Sequence, residues 1–116
     1  MSESAKINAR ERVRAWRKTS KGHAKKLAAQ RRRVLRARQF ILSYLLSHPC
    51  VDCGERDVIV LEFDHVRGQK KNNISGLISS GKGAERMLKE IALCDVVCRN
   101  DHMRRTLRRI GSYRLI

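Results

Sequence analysis

The chain is 116 residues long, 33% charged and only 4% aromatic, with one proline and four cysteines. That length suffices for one domain with a small core and an extension, and so few aromatics argue against a large all-β fold. No run of about 18 apolar residues occurs, and no apolar segment leads from the N-terminus to a cleavage site, so neither a membrane span nor a secretory signal is expected. Without a signal, the cysteines read as reduced thiols of the cytosol, available to metal rather than paired as disulfides. The formal net charge is +16, the footprint of a polyanion binder. It is unevenly spread: residues 1–40 hold 14 Lys/Arg against Glu3 and Glu11, a balance of +12, and the remainder holds 13 against 9, a balance of +4. A basic arm that tracks phosphate fits this split, although a ribosome-associated tail or an anionic-membrane helix would share the charge.

Residues 1–47 are expected to be helical, with an interruption near Ser20-Lys21-Gly22. The first piece, Ile7 to Lys18, has few apolar groups; Val13 and Trp16 are spaced to share a face, and so short and basic a helix is marginal alone. The second piece, from Ala24, has no internal Gly or Pro, and Leu27, Val34, Leu35, Ile41, Leu42 and Leu45 fall near one helical stripe. Packing of that stripe on the chain's own core is favoured over pairing with a second copy, so a monomer is expected. Arg31, Arg32, Arg36 and Arg38 lie largely on other faces, and Arg31, Arg32, Arg33 and Arg36 are candidate contacts to nucleic acid. Ser47-His48-Pro49 ends the helix, because the residue before a proline disfavours helical geometry.

Cys50 to Gly54 forms a tight knuckle, and Val58 to Phe63 (VIVLEF) is rich in β-branched residues and reads as a strand. Val66 to Asn73 is polar and loop-like. A short helical turn over Ile74 to Ser79 is followed by Ser80-Gly81-Lys82-Gly83, then by a helix over Ala84 to Leu93 with Met87, Leu88 and Ile91 on one side. Asp95 to Val97 is a short strand, and a last helix runs from about Asn100 to Ile110, before Gly111.

Cys50-x2-Cys53-Gly has the bite with which two thiolates hold a tetrahedral zinc, the glycine freeing the backbone for the turn. A redox dithiol would share this spacing but belongs with a thioredoxin-like βαβ context that is absent here. The partner thiols are downstream. A regular second knuckle would repeat C-x2-C, yet three residues after Cys98 stands Asp101, whose carboxylate can also bind zinc. Cys50, Cys53, Cys98 and Asp101 therefore form one ligand set. The other puts Cys94 in place of Asp101, which an extended Asp95–Val97 disfavours by setting Cys94 roughly 13 Å back along the strand.

Glu62-Phe63-Asp64-His65 closes the expected strand. An aspartate at a strand end can bind a hard divalent cation, and a histidine there can take a proton from water. His102 would start the last helix, facing that strand. With CVDCG (50–54), FDHVRG (63–68), EIALCDVVC (90–98) and CRNDHMRRT (98–106), the chain resembles the HNH endonucleases of the ββα-metal, or His-Me finger, type, in particular small phage and bacterial members with a zinc knuckle. The resemblance covers about residues 48–109. It implies an α+β fold, a ββα-metal core with structural zinc over residues 48–116 and a long basic helical extension for DNA binding over residues 1–47. Asp64 and His102 would hold a catalytic Mg²⁺ or Mn²⁺, and His65 would be the general base. The implied activity is metal-dependent hydrolysis of phosphodiester bonds in double-stranded DNA, with Arg104 and Arg105 placed to hold flanking phosphates. Two positions depart from the family pattern. Asp101 replaces the last zinc cysteine, and Leu93 stands where the middle Asn is counted, for which Glu90 or Asp95 could substitute. A zinc-stabilised nucleic-acid-binding protein without catalysis is the alternative, and an RNA- or ribosome-binding protein would account for the N-terminal arm alone.

Overall fold

The structure, a computed structural model, describes residues 3–115. Two helices, α1 (Glu3–Lys18) and α2 (Ser20–Ser47), lead to a 3₁₀ turn (Val58–Val60) and strand β1 (Leu61–His65). Helices α3 (Ile74–Ser79) and α4 (Ala84–Ile91), strand β2 (Cys94–Cys98) and helix α5 (Arg99–Ile110) complete the fold. The class is α+β, with one antiparallel two-stranded sheet. Among the described residues no helix is long and apolar enough to cross a membrane.

The break between the first two helices falls at Thr19, just ahead of the expected Ser20-Lys21-Gly22. Thr19 is extended (φ −70°, ψ 155°); its Oγ1 accepts the Gly22 amide at 3.1 Å and donates to the Trp16 carbonyl at 2.6 Å. A threonine suits this place because its side-chain oxygen satisfies one of the orphan amides of the first turn. Gly22 itself lies inside α2. A Cβ there would stand 1.9 Å from the Trp16 carbonyl oxygen, so the two helices meet at an angle that only hydrogen at position 22 admits. At its other end α2 stops at Ser47 as expected, with the His48 ring stacked on Tyr44 at 3.8 Å.

Only the C-terminal half of α2 joins the core. Ala37 and Ile41 are buried with Ile74, Leu77, Met87 and Ile91, while Cys50, Leu61, Val96, Val97 and Cys98 make a second cluster. Tyr44, Leu45 and Phe63 pack against both clusters and join them. The expected apolar stripe is corrected accordingly. Ile41 and Leu45 face inward, but Leu27, Leu35 and Leu42 are 49%, 52% and 46% exposed. Periodicity draws a stripe wider than the actual contact, and the N-terminal half of α2 runs past the core, in a body measuring 69 × 26 × 23 Å. Ala37, 2% exposed, is too small to stand out in a count of apolar side chains.

The strand expected at Val58–Phe63 also shifts. Asp57 Oδ1 accepts the Ile59 amide at 3.0 Å, which turns Val58–Val60 into a 3₁₀ helix and delays β1 to Leu61. Register then pairs Leu61 with Cys98, Asp64 with Asp95 and His65 with Cys94. Because side chains alternate along a strand, Glu62 and Asp64 share the face toward α5, and Leu61 and Phe63 share the face of the core. Helix α5 is capped by Cys98 at its start and by Gly111, in the left-handed region at φ 65°, at its end.

Docking of α2 through Ala37 and Ile41 has a direct consequence. Ile41→Ala is expected to cost about 2–5 kcal/mol of stability, and Leu35→Ala to stay within about 0.5 kcal/mol. Urea denaturation measures both, and equal costs would mean that α2 packs through a different face.

Candidate metal centre and carboxylate–histidine site

Cys50, Cys53, Cys98 and Asp101 each offer one ligand atom, and the four atoms lie within 4.8 Å of one another. Cys53 Sγ is 3.7 Å from Cys98 Sγ, and Asp101 Oδ2 is 3.3 Å from Cys50 Sγ and 3.2 Å from Cys98 Sγ. A tetrahedral zinc with ordinary bond lengths separates neighbouring sulfurs by roughly 3.8 Å and sulfur from oxygen by roughly 3.5 Å. The group is thus sized to hold a metal such as zinc. Local backbone bonds build it: the Gly54 amide donates to the Cys50 carbonyl at 2.8 Å, with Gly54 at φ 79°, and the Val51 amide donates to Val96 of β2 at 3.0 Å. Arg104 donates to Asp101 Oδ1 at 2.9 Å, which leaves Oδ2 to the thiols.

The Cys53 thiol is pushed up to about 12, chiefly by Asp101, while Asp101 is held well below the usual carboxylate range by the Cys53 thiol first and then by Arg104. Metal binding therefore displaces thiol protons around an already ionised carboxylate. Cys94, the alternative fourth ligand, lies outside the group at the far end of β2. It is buried opposite His65, its Sγ donates to the Glu90 carbonyl at 3.5 Å, and burial pushes its thiol up to about 11.

The second cluster covers the α5 face of the sheet. His102, Arg105 and Arg109 are spaced at i, i+3 and i+7 and so share one side of α5. His102 Nδ1 is 2.6 Å from Glu62 Oε2, and Nε2 is 3.6 Å from Asp64 Oδ1. His102 stands between two carboxylates, with Nε2 the nitrogen that faces Asp64. Glu62 thus orients His102, a role the sequence reading missed; its signal was the two-residue spacing to Asp64, which puts both carboxylates on one strand face. Asp64 is almost fully buried, and Arg109 grips both its oxygens, at 3.0 and 2.7 Å, while Arg105 reaches Oδ2 at 3.1 Å. Burial alone would raise the Asp64 pKa, but these two guanidinium groups outweigh it and hold the carboxyl below its usual range.

Arg105 also binds Asp52 through two bonds of 2.8 Å and Asp95 at 3.0 Å. Arg104 and Arg105, candidates for phosphate contacts, are thus engaged inside the two clusters; helical spacing from Cys98 turns Arg105 to the sheet instead of to solvent. Arg31, Arg32, Arg33 and Arg36 are exposed on α2.

His65 points the other way from Asp64. Its Nε2 lies 3.1 Å from Oε1 of the buried Glu90, which also accepts the amides of Lys71 at 3.1 Å and Asn72 at 3.2 Å. Glu90, one of the two residues that the resemblance offers in place of the HNH family's Asn, therefore ties His65 to the loop that follows it. Asp95, the other, is 2.9 Å from Arg67. With Glu62, Lys70, Asn73 and Ser75, His65 lines a cleft of about 430 Å³. Compared with protein-family models, curated proteins and solved structures, the chain gives no match.

Elemental analysis of the purified protein is expected to find zinc, lost in Cys50→Ser and Cys98→Ser and retained in Cys94→Ser; loss in Cys94→Ser would put the metal elsewhere. Glu90 gives a pH signature. Burial raises its pKa, but the Asn72 and Lys71 amides and His65 bring the folded value below the ordinary 4.5. A depressed folded pKa stabilises above the unfolded value, and the gain is lost as pH falls through the folded one. Glu90→Gln is thus expected to melt below wild type at neutral pH, with the gap closing as pH drops below about 4.5; a constant gap in thermal melts would rule out an ionised Glu90.

Proposed function

We propose that the chain is a metal-dependent endonuclease that hydrolyses DNA phosphodiester bonds, of the HNH kind its motifs resemble. The observation that carries this reading is the row Glu62–His102–Asp64. A buried carboxylate stands 3.6 Å from a histidine nitrogen whose ring is oriented by a second carboxylate, the arrangement by which proteins prepare a histidine for a cation. Adjacent ligands of an octahedral Mg²⁺ or Mn²⁺ lie about 3 Å apart, so Asp64 Oδ1 and His102 Nε2 need only a small shift once Arg109 releases Oδ1. Support also comes from element order: β1, β2 and α5, with α3 and α4 between the strands, would supply the two strands and the helix of a ββα-metal core, and the Cys/Asp cluster, as a structural zinc site, would fasten the junction between β2 and α5.

A bound divalent cation would stabilise the charge that develops on the leaving oxygen. The protein's own part is positioning and proton transfer. His65, with the proton on Nε2 given to Glu90, keeps Nδ1 free to accept the proton of the attacking water. Lys70 stands at the same cleft and can neutralise a phosphate beside it. The exposed Arg31, Arg32, Arg33 and Arg36 of α2 would follow the duplex backbone, making affinity fall steeply with salt.

The alternative, a zinc-stabilised nucleic-acid binder without catalysis, has two observations on its side: Asp64 is already neutralised by two arginines, as in a structural ion pair, and His65 points away from Asp64, toward Glu90. Plasmid incubated with the purified protein and Mg²⁺ or Mn²⁺ separates the two. Nicking is expected, abolished by EDTA and reduced about 10²–10⁴-fold in His65→Ala. No nicking with either metal would sink the enzyme, and undiminished nicking by His65→Ala would point to another base.

A further inference from the structure

Arg109 has no place in the family pattern used above, yet it makes the closest contact to the carboxylate on which the proposed metal site depends. The oxygen of Asp64 that faces His102 Nε2 is Oδ1, and its hydrogen-bond partner among the described residues is Arg109 Nη1, at 3.0 Å. The other oxygen, Oδ2, is shared by Arg109 Nη2 at 2.7 Å and Arg105 Nη1 at 3.1 Å. We propose that the Arg109 guanidinium stands in the cation's place at Asp64, so that Arg109 and a divalent metal compete for Oδ1. This inference rests on the reading of Asp64 and His102 as metal ligands.

The two arginines on Asp64 are held very differently. The Arg105 side chain is 17% exposed and is fastened to Asp52 and Asp95 as well, so it remains when Asp64 changes partner. The Arg109 side chain is 49% exposed, has Asp64 as its one carboxylate partner among the described residues and sits in the last turn of α5. It can leave with little disturbance. The division of labour suits an exchange: Arg105 keeps Oδ2 and hence the orientation of the carboxylate, while Arg109 uncovers the oxygen that looks toward His102. Such a stand-in also answers a cost, since without the metal the buried Oδ1 would otherwise lack the hydrogen bond that Arg109 now gives it. Once displaced, the guanidinium remains within a side-chain length of the site, with a planar fork that matches the oxygens of a phosphodiester.

Mn²⁺ titration of the full-length, zinc-loaded protein, followed by electron paramagnetic resonance without DNA, tests this by binding alone. Removing a half-exposed ion pair is expected to tighten Mn²⁺ binding roughly three- to tenfold in Arg109→Gln. Arg109→Lys, which keeps the charge but loses the fork, is expected between Arg109→Gln and wild type and serves as the second variant. Asp64→Asn is expected to abolish binding. Equal affinity in wild type, Arg109→Gln and Arg109→Lys overturns the competition while leaving the metal site standing. No Mn²⁺ binding by any variant, or binding that Asp64→Asn leaves unchanged, overturns the metal site and the competition together.

Discussion

Cys98 is where the constraints on this protein meet. It is the last residue of β2, paired with Leu61, the cap of α5, and one of the four residues grouped around a possible metal. A helix advances about 100° per residue, so fixing its first residue fixes the facing of every later one. Capping at Cys98, with its Sγ accepting the Asp101 amide at 3.4 Å, turns Asp101 back to the thiols and points His102, Arg105 and Arg109 at β1. Starting α5 one residue later would carry all three off the sheet. The Cys/Asp cluster and the carboxylate–histidine site are therefore two results of one helix phase, and ordering at the first is felt at the second.

Charge is arranged with the same economy. In a chain of formal charge +16, six of the 11 acidic residues, Asp52, Glu62, Asp64, Glu90, Asp95 and Asp101, belong to these two clusters or to the His65 contact. Asp64 and Asp95 stand directly opposite on neighbouring strands, a repulsive arrangement by itself. Arg105 bridges them and reaches Asp52 in the knuckle, so one guanidinium reconciles three carboxylates from three segments. Its pKa is raised further by this company, Asp52 first. The arginines and lysines from Arg10 to Arg38 on α1 and α2 stay exposed.

Much of this was legible in the sequence, for reasons that differ by residue. The helices around Ile74 and Ala84 and the last helix before Gly111 follow from periodicity and punctuation, which are local. The ligand group of Cys50, Cys53, Cys98 and Asp101 follows from spacing, because a three-residue step brings two side chains to one point in a knuckle or a first helical turn. VIVLEF misled because β-branched composition does not register that Asp57 caps a 3₁₀ turn. Leu35 and Leu42 misled because a periodic stripe says which way a side chain points, not whether anything is there to meet it. Arg105 and Arg109 required knowing how α5 sits on β1, a contact across some 40 residues that no local pattern carries, whereas for Glu62 the spacing to Asp64 marks the shared face but not the histidine it meets.

The joint at Thr19 and Gly22 has a consequence for reach. A body 69 Å long and 26 Å across spans about two turns of a B-form duplex, each about 34 Å, although its carboxylate–histidine site occupies only the sheet end. On the DNA-binding reading proposed above, the arm would grip one turn while the site addressed another. The angle imposed by the hydrogen of Gly22 would then set where α1 lies along the duplex, while Arg31, Arg32, Arg33 and Arg36, on the core side of that joint, keep a distance from the site fixed by α2 itself.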